Sequence, residues 1–471
     1  MHPNKPRTTA NGQAAVKVAS YSLVLLLLAA SSRSESPAHS VFISWSEARS
    51  SLAAYSDSLP EALRSAAPLD ESKWAAWVAT SDREVRARLA RGQEDTLSNL
   101  LRFGVTFTHE YRIDDEYLPK FGHSSLVDSF ADRRATDLVR ALASPHSAEG
   151  FREMRAFLEE QGYSFETAAA RLRAKKVLLE NLARLRDDFV KAHSEPAREN
   201  RWQSFEARGI SLDTNLWPDF DLDAQLRAMA QNGSLQPGSV RRIAIIGPGL
   251  DFVNKQQGYD FYPPQTIQPF AVLDSLVRLK LADSAAIEIY TLDISASVNL
   301  HIERALKNAA AGKSYVLQLP WYQAGRWSEE FRGAFIPYWQ NLGSTIGTPV
   351  PAIRMPEGAE GIESRAIELP PAIVRRITPL DVNIVYQRLA LDPEQGFDLV
   401  IGTNVFVYYG AFEQSLVRAN VASMLKSGGF LLSSEKLADR VENGLALDAT
   451  TEIPMTGPPV MTDFIFAYRR K

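Results

Sequence analysis

The chain has 471 residues, which is enough for two or three folding units and excludes a single small module. Hydrophobic residues make up 45% of it and charged residues 23%, which is typical of an ordinary globular protein. The formal net charge of −4 provides no overall basic field for a nucleic-acid backbone. Because the chain has no cysteine, disulfides, thiolate nucleophiles and cysteine-ligated metal centres are also excluded.

The first 38 residues have the pattern of an export signal. Lys5, Arg7 and Lys17 precede an apolar run from Val18 to Ala30, and small residues follow. The run is shorter than the roughly 20 residues that span a bilayer. We therefore expect a signal peptide over 1–38, with an uncleaved membrane anchor or a misplaced start as alternatives. A signal peptide would export the protein to the periplasm or the medium. An anchor would hold it at a membrane through this segment alone, and a misplaced start would leave it in the cytoplasm.

Residues 45–195 show apolar side chains at helical spacing, for example Phe151, Met154 and Phe157. Gly162 is a stop signal for one helix, and Ser164 offers an N-cap for a helix that continues to about 192. We predict an all-α amino-terminal domain here. If the protein has a protein partner, we expect the partner to bind this domain. Residues 196–238 are predicted to be a linker with a short helix near 222–231.

After residue 239 short β-rich runs alternate with helical stretches, which predicts βαβ units. The predicted strands are Arg242–Ile246, Ile287–Leu292, Val382–Tyr386, Phe397–Ile401, Gly429–Leu432 and a last, antiparallel edge strand Phe464–Tyr468. The fold class is therefore α/β, with a doubly wound, mostly parallel sheet over 239–471. Residues 312–378 are an insertion whose aromatic side chains share a helical face, either as core or as an aromatic substrate wall.

Two features at strand ends point to a nucleotide-like ligand. The first strand ends in the glycine turn Gly247–Pro248–Gly249, where backbone can approach a cofactor closely. Asp293 ends the second strand, where its carboxylate can accept hydrogen bonds from ribose hydroxyls or cap the next helix. The dinucleotide pattern needs a third glycine at the position of Phe252, which weighs against NAD binding.

The later motifs, FDLVIGTNVFVYY at 397–409 and LKSGG at 425–429, complete an ordered set. This set resembles the class I S-adenosylmethionine-dependent methyltransferase superfamily, and its strand-four block looks most like the chemotaxis-receptor methyltransferases. The resemblance covers about 230–471 and implies a Rossmann-like domain that binds S-adenosylmethionine. It implies that the cofactor contacts fall on these residues: Gly247, Gly249, Asp251, Asp293, Gln387, Arg388, Leu389 and Asn404.

Within that set the resemblance places Asp293 at the ribose, Asn404 at the methyl-transfer pocket and 387–389 near the adenine. The chain departs from the family pattern at several positions. Ile245 replaces the usual acid, Asp251 stands where a further glycine is common, Thr403 replaces an arginine, and Ser427 replaces the turn proline.

No catalytic residue can be chosen from the sequence, since methyl transfer depends mainly on alignment of donor and acceptor. Asp251, Tyr259, Tyr408 and Tyr409 are the candidates for a base. The extended loop after the glycine turn is either a lid or acceptor site, or plain packing. No pair of histidines has metal-ligand spacing, so no metal site is predicted.

Three functions remain open at this stage. The first is a methyltransferase acting on a small-molecule or protein acceptor. The second is a non-catalytic binding or scaffold protein of the same fold, which the export signal favours because this cofactor is kept in the cytoplasm. The third is nucleotide or dinucleotide binding for redox chemistry.

Overall fold

The protein was analysed as a computed structural model, which describes residues 39–65, 68–192, 209–251, 260–323, 325, 327–357, 359, 361–456 and 461–471. The predicted leader at 1–38 and the first part of the predicted linker, 196–208, lie outside these ranges. From His39 to Lys471 the chain forms one compact unit. Over the described ranges, no helix combines the length and apolar character that crossing a bilayer requires.

Helices dominate the first half of the described chain and alternate with strands in the second. The helices are α1 Trp45–Ala54, α2 Glu61–Ser65, α3 Glu71–Phe103, α4 Ser125–Ala143, α5 Glu149–Glu160, α6 Ala168–Ala192, α7 Trp217–Gln231, α8 Gln268–Arg278, α9 Ala296–Ala310, α10 Glu329–Asn341, α11 Pro371–Val374 and α12 Ala411–Met424. The strands are β1 Ser40–Phe42, β2 Arg242–Ile246, β3 Glu288–Asp293, β4 Tyr315–Tyr322, β5 Thr348–Val350, β6 Ile362–Leu369, β7 Ile377–Asp381, β8 Gln387–Leu389, β9 Phe397–Gly402, β10 Leu425–Ser433, β11 Leu445–Pro454 and β12 Thr462–Arg470.

The main sheet has seven strands in the order β11-β12-β10-β9-β2-β3-β7. The five strands from β10 to β7 are parallel to one another. Strand β12 is antiparallel to its neighbours β10 and β11. The predicted α/β class with a mostly parallel sheet is therefore confirmed. In register, Gly402 lies opposite Ile246 on one side and Ser433 on the other, so the parallel strands end at one edge. Antiparallel β12 begins at that same edge.

The insertion folds as a second, smaller sheet of order β4-β6-β5 with helix α10 against it. Most of its aromatic side chains are buried in the main hydrophobic core, and Phe331 and Phe335 stack with ring centroids 5.3 Å apart. Tyr322 and Trp327 are only partly buried. Pro337 lies inside α10, which continues to Asn341. The sequence left two alternatives for these aromatic residues, core packing or a substrate wall. Core packing describes most of them.

The helical residues pack on the carboxyl edge of the sheet. Strand β1 pairs with β8, and the Trp77 ring lies 5.6 Å from the ring of Tyr386. On α3, Asp82 accepts a hydrogen bond from Asn383 at 2.8 Å, and Arg88 donates to the Tyr408 carbonyl at 3.1 Å. These contacts place helix α3 above the ends of the parallel strands. The predicted division into separate domains stays a prediction.

Two strand predictions are wrong. The third parallel strand is β7, Ile377–Asp381, whereas the predicted residues 382–386 form a turn whose apolar side chains are buried. Strand β12 is antiparallel as predicted, but it is an inner strand. The edge belongs to β11, whose outward Thr450 and Glu452 give it a polar sequence that concealed it.

Candidate functional site

A cavity of about 980 Å³ lies at the carboxyl edge of the main sheet. Strand β2 lies at the centre of the sheet. The strands that follow it directly, β3 and β7, lie on one side of it, and the later strands β9 and β10 lie on the other. The cavity lies at this point, where the strand order reverses. In open α/β sheets, ligands bind in this crevice. Helix α3 supplies Leu89, and the chain segment 210–215 supplies another wall. We call this space the central cavity.

The glycine turn lines the central cavity in a conformation that requires glycine. Gly247 and Gly249 have φ of +61° and +67°, which side chains disfavour. A Cβ on Gly247 would lie 2.7 Å from Val405 Cγ2, and one on Gly249 would lie 2.7 Å from the Leu212 carbonyl oxygen. The turn is therefore fixed by both backbone conformation and neighbours.

Segment 210–215 is hydrogen-bonded to the residue after this turn. The Leu250 amide donates to the Leu212 carbonyl at 2.8 Å, and the Thr214 amide donates to the Leu250 carbonyl at 3.2 Å. The other end of the segment is held by α3, because the Ile210 amide donates to the Arg88 carbonyl at 3.1 Å. The turn thus has a protein wall on its Cβ side and the cavity on its open side.

Asp293 ends β3 beside the glycine turn and lines the cavity with only 6% of its surface exposed. Its carboxylate accepts a hydrogen bond from the Ser295 amide at 2.7 Å, and the nearby Gly249 amide also acts to lower its pKa. Burial raises the pKa of Asp293 to about 7, although these amide donors act to lower it. The N-cap of α9 is Ser295, whose hydroxyl accepts from the Val298 amide. Asp293 therefore faces the turn instead of capping the helix itself.

Asn404 lies at the end of β9, between the two sides of the cavity, and lines it. Its φ of 58° is in the left-handed region, which asparagine tolerates better than most residues. The Asn404 amide donates to Ser434 Oγ at 2.7 Å, which holds the turn. The preceding Thr403 hydroxyl accepts from Gln268 Nε2 at 2.9 Å, so the start of α8 is tied to this edge.

Four predicted site residues lie elsewhere. Asp251 is buried outside the cavity lining and accepts hydrogen bonds from the Tyr262 hydroxyl at 2.9 Å and Gln265 Nε2 at 3.1 Å. Burial raises the pKa of Asp251 to about 7. Gln387, Arg388 and Leu389 form β8, which pairs with β1, and they do not line the cavity.

Their place in the cavity is taken by Val382, Asn383 and Ile384, which directly follow the true third strand. The prediction for 387–389 was displaced because it counted from the misplaced strand at 382–386. For the candidate base, Tyr408 and Tyr409 line the cavity, and burial raises the pKa of Tyr409. Tyr259 falls outside the described residues.

The described cavity lining has more acidic groups than basic ones. Among the described lining residues the carboxyl groups are Asp213, Asp221, Asp293, Glu435 and Asp463, and Arg112 is the one basic residue. Burial raises the pKa of Asp221 to about 8, with the nearby charge of Asp463 adding to the effect. Burial also raises the pKa of Glu435 to about 7. A cationic ligand would favour the ionised form of these acids, so the cavity is suited to a cation and opposes a polyphosphate.

Sequence reasoning missed this acidic lining. Asp221 lies in WPDFDLD, which reads as a loop but forms the first turns of α7. Asp463 opens the last strand, and its position at the carboxyl edge follows from the antiparallel direction of β12. Across the described residues, no group of histidines and acids is arranged to hold a metal ion.

The sequence matches no protein-family model and no curated protein. Its structure is similar to several solved structures. One is the N-methyltransferase NodS from Bradyrhizobium japonicum, at 12% identity and a TM-score of 0.26, covering 53% of this chain and 96% of that one. Another is the magnesium protoporphyrin IX methyltransferase ChlM from Synechocystis with bound SAM, at 11% identity and a TM-score of 0.25, covering 60% and 97%.

A third is a TehB-like SAM-dependent methyltransferase from Corynebacterium glutamicum, at 13% identity and a TM-score of 0.24, covering 60% of this chain and 99% of that one. All three structures are named as methyltransferases.

Proposed function

We propose that the protein is an S-adenosylmethionine-dependent methyltransferase of the Rossmann-like, class I type. The order of the parallel strands supports this proposal. Strands β7-β3-β2-β9-β10 follow the 3-2-1-4-5 order of the doubly wound sheet. The observation that carries the proposal is the pairing at the strand ends. The Gly249 amide lies close enough to the Asp293 carboxylate to lower its pKa, and both residues line the central cavity.

The residues present fit this cofactor. S-adenosylmethionine carries a sulfonium and an ammonium against one carboxylate, so it is a net cation, and the described lining has five carboxyl groups against Arg112. A dinucleotide or nucleoside triphosphate would bring two or more negative charges into the same lining. Charge complementarity therefore favours the sulfonium compound over ligands that share its adenosine.

Asp293 would hold the ribose hydroxyls, and the backbone at Gly247 and Gly249 would hold the amino-acid end. Asn404, at the central strand end, would face the site of transfer. When bound, S-adenosylmethionine supplies a methyl carbon that its sulfonium has activated. The protein's contribution is to orient the two reactants and exclude water, and α3 and segment 210–215 close the cavity for that purpose.

The test is calorimetry of S-adenosylmethionine with the full chain and its Asp293→Asn variant. We expect binding to the parent protein and a loss of about 1–3 kcal/mol in the variant, the scale of lost hydrogen bonds to a charged group. Glu303→Gln is the matched control, because Glu303 is an exposed carboxylate on α9, the helix that follows Asp293. Equal effects of the two variants would contradict the assignment of Asp293.

A further inference from the structure

The central cavity has a second acidic wall, separate from the one formed by Asp293. It is made by Trp217 and Asp221 of α7, by Trp327, and by Asp463 at the start of β12. We call these four residues the acidic end. Strands in a sheet lie about 4.8 Å apart, and β12 is four neighbour steps from β3, so the two walls are separated by roughly 19 Å. A cofactor held at Asp293 leaves room for a second molecule at the acidic end.

Asp221 at this end lacks the partner that a buried carboxylate needs. Only 4% of its surface is exposed, and its Oδ1 has no hydrogen-bond partner among the described residues. The two charges that act on Asp221 are also carboxylates, Asp463 on β12 and Asp219 on its own helix. Burying acids together without a cation is unfavourable, and a bound cation would offset that cost.

The aromatic rings at the acidic end are held in place. The ring centroids of Trp217 and Trp327 are 4.6 Å apart, and Trp217 also packs 4.9 Å from Phe335 in the core. The Trp327 indole N–H donates to the Tyr322 carbonyl at 3.0 Å. Fixed tryptophans next to carboxylates form the combination that binds ammonium groups, through charge and through cation–π contact.

We propose that the acidic end binds the ammonium group of a cationic, amine-bearing methyl acceptor. This inference rests on the proposed function, since it takes the other end of the same cavity as the cofactor site. It adds the substrate class: Asp221 and Asp463 neutralise the ammonium charge, Trp217 and Trp327 enclose its alkyl or aryl substituent, and anionic acceptors are repelled.

The experiment measures direct binding to the full chain without cofactor, by ligand-observed NMR and calorimetry. The probes are methylammonium, n-butylammonium, benzylammonium and 2-phenylethylammonium, each paired with the alcohol of the same skeleton. We expect at least one ammonium probe to bind more tightly than its alcohol. Asp221→Asn and Asp463→Asn should each weaken it about tenfold or more, as expected for loss of a charge-assisted contact.

Glu452→Gln is the control, because Glu452 is an exposed carboxylate next to Ile453, the register partner of Asp463. It should leave probe binding within about twofold, well below the effect of a direct charged contact. If Asp221→Asn unfolds the protein, Asp463→Asn at the strand start carries the test. The proposal is overturned if no ammonium probe exceeds its alcohol, or if the control weakens binding as much as the two test variants.

The failures of the two proposals are distinguishable in the same samples. Binding of S-adenosylmethionine without any preference for ammonium probes overturns the substrate class and leaves the proposed function intact. Binding of ammonium probes without S-adenosylmethionine overturns the proposed function, and with it the role of the acidic end as an acceptor site.

Discussion

Asp219 offers a sharp test of how buried acids affect this protein. It lies in the first turn of α7 with 2% of its surface exposed, outside the cavity lining. Burial, with the charge of Asp251 adding to it, raises the pKa of Asp219 from 3.8 to about 8. The pKa of this carboxyl group is higher in the folded state than in the unfolded state. Its contribution to stability is therefore complete below the unfolded pKa and is lost as the pH rises through the folded pKa.

The window for Asp219 therefore runs from about pH 4 to about pH 8. One pH unit corresponds to about 1.4 kcal/mol, so the contribution falls by roughly 3–4 kcal/mol between about pH 5 and pH 8. Asp219→Asn removes the titrating group and keeps the shape. The free energy of unfolding of the variant, relative to the parent, should rise by that amount over the same interval.

The assay is urea unfolding of both proteins at the two pH values, followed by circular dichroism. The charge of Asp219 also raises the pKa of Asp221, so the difference includes the change in that neighbour. Buried acids that do not interact with Asp219 titrate alike in both proteins and cancel. Asp448→Asn, at an exposed position on β11, controls for loss of charge alone. A difference between Asp219→Asn and parent that is the same at both pH values would refute the reasoning.

Three further predictions follow from packing and charge. In thermal unfolding, Gly249→Ala should destabilise the fold by about 1–3 kcal/mol more than Gly312→Ala. Both glycines have positive φ, but only Gly249 has neighbours that a Cβ would contact. Equal losses of stability would contradict this prediction. Arg134→Met should lower stability by about 3–5 kcal/mol in urea, because buried Arg134 donates to three backbone carbonyls that would lose their partner. Exposed Arg140→Met is its control, and a loss as small as the control's would oppose the prediction. The affinity for S-adenosylmethionine should rise about tenfold from about pH 6 to pH 8, because Asp293, with its pKa of about 7, ionises over that range. An affinity that calorimetry finds unchanged across this range would contradict the prediction.

The parts of the fold with strong local signals could be predicted from the sequence. The apolar run of β2 ending in glycines, and β3 ending in Asp293, depend on residues that are neighbours in the chain. The third strand was missed because it carries Pro379, which sheets tolerate at an edge, and β7 is the edge strand. The adjacent residues 382–386 are apolar for another reason, since they pack against helical residues such as Trp77.

The parts of the site that depend on distant contacts could not be predicted. Gly92 of α3 lies so close to Ile210 that any Cβ would collide with its carbonyl, and this contact helps to set segment 210–215 against the glycine turn. Nothing in the local sequence of either residue indicates that pairing. The acidic end also joins α7 to β12, whose residues Asp221 and Asp463 are far apart in the chain.

The central claim is that the cavity holds a cationic adenosyl compound against the wall formed by Asp293 and the glycine turn. The most direct measurement compares the affinities of S-adenosylmethionine and ATP for the purified full chain at the same ionic strength, since both contain adenosine and differ in charge. The account predicts that S-adenosylmethionine binds and that ATP binds far more weakly or not at all. It is contradicted if ATP binds as tightly, or if S-adenosylmethionine at millimolar concentration gives no heat of binding.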